Sequence, residues 1–93
     1  MEIPATGVVL VDFFTTWCGP CRNMEPVLKG VTTQFGDRVK VMKVDCEQHP
    51  ELSDRFAVRS VPTVVVLKDG SEQTRRVGMT QQTELNAAIA AVL

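Results

Sequence analysis

From Val8 to Phe14 the chain reads Val-Val-Leu-Val-Asp-Phe-Phe, an apolar run broken by a single charged side chain. A strand with one wet face alternates apolar and polar residues. A run without alternation belongs to a strand covered on both faces, as in a parallel or mixed sheet with helices on either side. Directly behind it stands Trp17-Cys18-Gly19-Pro20-Cys21, and behind that a helical rhythm. The chain is therefore constrained to a layered α/β arrangement with two thiols at a strand-to-helix junction.

That position gives the thiols a chemistry. The first turn of a helix leaves backbone N–H groups unpaired and carries the positive end of the helix dipole. A cysteine placed there, Cys18, is expected to have a lowered thiol pKa and to be nucleophilic near neutral pH. Residues three apart on a helix have Cβ atoms roughly 5–6 Å apart. A disulfide needs about 3.5–4.5 Å, so a small local adjustment can open and close a Cys18–Cys21 bond.

The remaining elements follow from periodicity. Met24, Val27, Leu28, Val31 and Phe35 make one helical stripe, with Pro26 inside the helix and Gly36 as its C-terminal cap. Val39–Asp45 reads as a second strand, completing a right-handed βαβ crossover. Pro50 to Phe56 reads as a short helix with proline in its first turn. Thr63–Leu67 is a third strand, Asp69-Gly70 a hairpin turn, and Glu72–Val77 a polar edge strand. Thr80 is expected to cap a last helix whose stripe is Leu85, Ala88, Ile89 and Val92. The order is βαβαββα, a four-stranded mixed sheet flanked by helices, in one domain over residues 1–93.

Composition excludes several classes. Apolar content of 44%, charged content of 23% and a net charge of −1 describe an ordinary globular chain. Arg75-Arg76 is the only adjacent basic pair, so no nucleic-acid partner is expected. No run reaches the roughly 18 apolar residues of a membrane span, and Met1–Pro4 lacks the basic and apolar regions of a signal peptide. Three cysteines do not make a disulfide framework. A reducing cytoplasm, where a two-cysteine motif is redox-active or metal-binding, is the expected setting.

Taken together, Val11-Asp12-Phe13, Trp17-Cys18-Gly19-Pro20-Cys21, Pro26, Lys43-Val44-Asp45, Val61-Pro62-Thr63, Lys68-Asp69-Gly70 and Gly78 resemble the thioredoxin family in order and spacing. The resemblance implies a protein-disulfide reductase that needs no cofactor or metal beyond its own Cys18–Cys21 pair. Its partners would be disulfide-containing proteins and a thioredoxin reductase that regenerates the dithiol. It makes Cys18 the attacking and more exposed thiol, Cys21 the resolving one, Asp12 the proton acceptor and Lys43 its electrostatic neighbour. It also implies a cis Val61–Pro62 bond and a docking surface of Trp17, Gly19, Pro20, Val61, Pro62 and Gly78. Gly19-Pro20 between the cysteines, with no histidine there, favours a reductant over an oxidase or isomerase.

The chain departs from the family in two places. Met1–Gly7 is too short for the strand and helix that the family places before Val8. The first family strand is therefore expected to be missing, leaving Val39–Asp45 at a sheet edge. A monomer is expected, with a weak dimer through that edge as the alternative. Phe14 stands where the family commonly has tryptophan, a change expected to affect packing. Two other functions fit the residues: a docking module using the same apolar face, and a zinc domain with Cys18, Cys21, Cys46 and His49 as ligands. The 24 residues between Cys21 and Cys46 exceed the usual zinc-ribbon gap of roughly 15–20. Cys46 is otherwise expected to be a half-buried filler.

Overall fold

The computed structural model describes all 93 residues, Met1–Leu93. Its elements are β1 (Val8–Phe14), α1 (Gly19–Phe35), a 3-10 turn (Gly36–Arg38), β2 (Val39–Asp45), α2 (Pro50–Arg55), β3 (Thr63–Lys68), β4 (Ser71–Val77) and α3 (Gln82–Ala90). They form one four-stranded sheet in the order β2-β1-β3-β4. β1 pairs with β2 in parallel and with β3 antiparallel, and β3 pairs antiparallel with β4. The sheet is mixed, no strand precedes Val8, and β2 lies at an edge.

The lack of alternation in β1 has its expected cause. Val8 and Leu10 enter a core shared with Met24, Leu28 and Val31 of α1 and with Leu85 and Ile89 of α3. Val9, Val11 and Phe13 point the other way, into a second core with Val44, Leu52 and Val65. Fully burying such a side chain stabilises by roughly 1.5–3 kcal/mol, so a strand that buries both faces anchors both layers. Helices α1 and α3 thus cover one face of the sheet, and α2 covers the other.

Local signals explain the joints. Asp69 and Gly70 both have positive φ, 51° and 82°, as the tight β3–β4 hairpin demands. Gly36 closes α1 at φ 55°, its N–H bonded to the Thr32 carbonyl. One expected joint is corrected. Thr80 does not cap α3: its buried hydroxyl donates to the Gly78 carbonyl at 3.1 Å, and Gln81 takes the N-cap position with no side-chain bond. α2 stops at Arg55, one residue short of the expected Phe56, which serves as its C-cap.

Candidate active site

The site forms where the C-terminal end of β1 feeds the first turn of α1. Cys18 is the N-cap of α1 and has extended backbone dihedrals. Its sulfur accepts the Cys21 N–H at 3.1 Å, the role a serine or aspartate oxygen usually plays at a helix start. Pro20 lies in the first turn, where its missing N–H leaves no helical bond unmade. Cys18 and Cys21 are joined by a disulfide, with their Cα atoms 5.2 Å apart. One helix terminus thus supplies both the bond and the N–H donor that would stabilise a thiolate after reduction.

The two thiol positions are not distinguished by exposure, which corrects the expectation that Cys18 is the more open. Each is 5% exposed. The surroundings differ instead. Cys18 lines an open hollow of about 560 Å³ with Trp17, Gly19, Pro20 and Val61. Cys21 faces a smaller one of about 180 Å³ with Arg22, Glu25 and Lys43. The loop before β3 approaches the disulfide from the Cys18 side.

That loop holds the cis Val61–Pro62 peptide. The Val61 carbonyl oxygen lies 3.8 Å from Cys18 Sγ. Neither backbone polar group of Val61 has a backbone partner. Pro62 is buried, and its carbonyl accepts the Gly78 N–H at 2.8 Å, which fastens the β4–α3 connection to the same loop. Gly78 has φ 90°, a conformation that disfavours any side chain. Its chain neighbours Val77 and Met79 are 64% and 49% exposed, and Trp17, beside Cys18, is 68% exposed.

Asp12 lies in β1, the strand that leads to the disulfide. Even-numbered residues of β1 face α1, so Asp12 shares a face with Val8 and Leu10 and is 0% exposed. Neither carboxyl oxygen has a hydrogen-bond partner. Burial pushes its pKa up to about 6; the Lys43 ammonium opposes the rise and Glu25 adds to it. Lys43 stands opposite Asp12 in the β1–β2 register. Its ammonium is ion-paired with Glu25 and sits 4.7 Å from the centre of the Phe14 ring.

Three participants carry no signal in the sequence. Glu25 joins Lys43 from α1. Glu47 accepts the Trp17 indole N–H at 3.1 Å and so fixes the most exposed aromatic of the site. Thr15, 7% exposed with an unpartnered hydroxyl, borders both hollows. A surface glutamate is uninformative until the fold supplies its partner. Cys46 packs against the β1–α2 core and lines the larger hollow. His49 lies 3.4 Å from Glu51.

Comparison with known proteins gives a consistent answer. The family model described as Thioredoxin matches residues 2–91. Thioredoxin of Bacillus subtilis is 43% identical over 72 residues, 77% of this chain and 69% of that protein. Thioredoxin of Listeria monocytogenes is 40% identical over 83 residues, 89% of this chain and 81% of that protein. Among solved structures, Fasciola hepatica thioredoxin superposes with a TM-score of 0.84 at 36% identity, over 94% of this chain and 83% of that one.

Proposed function

Because the chain belongs to the thioredoxin family and is a dithiol–disulfide oxidoreductase, we propose that it reduces disulfides in other proteins, with Cys18 attacking and Cys21 resolving. The observation that carries this reading is the sulfur of Cys18 at the start of α1, bonded by the Cys21 N–H and open to the larger hollow.

In the reduced protein the Cys18 thiolate attacks one sulfur of a substrate disulfide. A Cys18–substrate disulfide forms, and the other substrate sulfur leaves as a thiolate that takes up a proton. Cys21 then loses its proton and attacks Cys18 Sγ. The Cys18–Cys21 disulfide forms, and the second substrate thiol is released. Two electrons pass to the substrate, and a thioredoxin reductase returns two to the pair. No metal or further cofactor enters.

Asp12 is the proton acceptor for Cys21. A carboxyl with a pKa of about 6 can hold a proton near neutral pH, and its unpartnered oxygens are free to take one. Lys43 keeps that pKa from rising further. Trp17, Gly19, Pro20, Val61, Pro62 and Gly78 make the docking surface, where the unpaired Val61 backbone bonds an extended substrate segment. Such pairing demands no particular side chain. Work of this kind belongs in a reducing compartment such as the cytoplasm.

Two experiments test the proposal. Trp17 is the lone tryptophan and adjoins Cys18, so its fluorescence reports the oxidised fraction in dithiol redox buffers. A midpoint more negative than about −220 mV supports a reductant; one near −180 mV or higher points to an isomerase or oxidant. Cys21→Ser should accumulate a mixed disulfide with substrate through Cys18, and Cys18→Ser should accumulate none. The exposed Trp17, Val77 and Met79 also suit a docking module. Partner binding that survives Cys18→Ser/Cys21→Ser, with no disulfide reduced by the unmodified protein, would favour that reading instead.

A further inference from the structure

We infer that Arg59 selects substrates: it favours disulfides whose cysteine is flanked, within two or three residues, by aspartate or glutamate. The inference rests on the reductase reading above and deepens it by naming a substrate class.

Two independent observations lead to Arg59. It is the only charged residue lining the hollow that holds Cys18. It is also the one arginine of the chain with no partner. Arg22 donates to the Thr16 carbonyl, Arg38 to the Phe35 carbonyl, and Arg55 stacks on Phe56. Arg75 and Arg76 are ion-paired with Glu72 and Glu84. Arg59 is exposed and makes no hydrogen bond, ion pair or ring contact.

An arginine whose five donors are unengaged, in a hollow whose other lining residues are uncharged, is a site for a planar anion. No carboxylate lines the hollow, and Glu47, next to its lining residue Cys46, is engaged by Trp17. The start of α1 adds positive potential at Cys18 and none of the opposite sign. Reach sets which substrate residues qualify. Arg59 precedes Val61 by two residues, and an extended chain advances about 3.3–3.6 Å per residue. A substrate paired to the Val61 backbone therefore brings residues two or three from its cysteine to the guanidinium, while the cysteine itself meets Cys18.

The test uses two synthetic peptides, each with one intramolecular disulfide, identical except for glutamate or glutamine beside the cysteines. Reduced protein is mixed with each in single turnover, and Trp17 fluorescence gives the second-order rate constant. Acidic flanks alter the sulfur chemistry of the peptide itself, but that effect is common to every variant and cancels when the glutamate-to-glutamine rate ratios of two variants are compared. The ratio for the unmodified protein should exceed that of Arg59→Gln by about two- to fivefold, the range of exposed charge pairs. Arg59→Lys should fall between them and Arg59→Glu below both. The advantage should shrink as salt rises from about 0.01 to 1 M, where the screening length drops from about 30 to 3 Å. Equal ratios for the unmodified protein and Arg59→Gln at low salt would overturn the inference and leave the reductase reading intact. Failure of the unmodified protein to reduce either peptide would overturn both.

Discussion

Asp12 is the most strained residue electrostatically, and its effect on stability has a definite sign. Its carboxyl is raised from 3.8 to about 6 by burial, so the fold prefers the protonated form. This group's contribution to stability is fully present below about pH 4, declines between pH 4 and 6, and is lost above that. A displacement of about 2 pKa units corresponds to roughly 3 kcal/mol. Asp12→Asn should therefore raise the unfolding free energy of the oxidised protein by about 2–3 kcal/mol at pH 8. The gain should vanish below pH 4, as read by urea denaturation across pH. In the proposed mechanism, where Asp12 accepts the Cys21 proton, the same variant should slow resolution of the Cys18–substrate disulfide. Lys43→Met should move the Asp12 titration to higher pH, measured by the pH dependence of Trp17 fluorescence or by carboxyl NMR. The presence of Asp12 in an apolar strand and of two cysteines at a helix start is visible in the chain, since both depend on local order. Glu25 and Glu47 were not legible: their partners lie 18 and 30 residues away, and only the packing of α1 and the loops around the sheet brings them together.

At the scale of elements, strands and helices begin and end close to where residue spacing puts them, because each is specified within its own segment. The start of α3 is the exception, and it decides a prediction. A threonine ahead of a helical stripe is a sound N-cap signal, but Thr80 turns inward to the Gly78 carbonyl and leaves Gln81 at the cap. The position is extended, φ −79° and ψ 154°, which suits serine. Gln81→Ser should stabilise the protein by about 0.5–1 kcal/mol in thermal or chemical denaturation. Gly30 marks the α1–α3 contact, where a Cβ would collide with the side-chain amide of Gln82. That amide is the end of a flexible side chain. Gly30→Ala alone should change stability by less than about 1 kcal/mol, while Gly30→Ala/Gln82→Ala should gain about 0.5–1 kcal/mol from helix propensity.

At the scale of the molecule, β2 presents an unpaired strand edge and bears two exposed lysines, Lys40 and Lys43. Charge on an edge resists pairing with another chain. The protein should sediment as a monomer at about 100 µM, and Lys40→Ile should increase self-association measurably. The layered α/β order was legible because the apolar run of β1, the helical stripes and the Asp69-Gly70 turn are all local patterns with their own periods. The amino-acid sequence by itself determined which segments are strands and helices, and that a reactive thiol pair stands at the head of one helix. Tertiary structure alone decided what meets that pair. It brought Val61 to the sulfur of Cys18 from 43 residues along the chain, tied Gly78 to the neighbouring Pro62, and set Lys43 and Glu25 around Asp12. It also left Arg59 free in the hollow. The physical reason is that backbone periodicity is set by neighbours in the chain, whereas strand order and loop juxtaposition are set by burying both faces of one sheet at once.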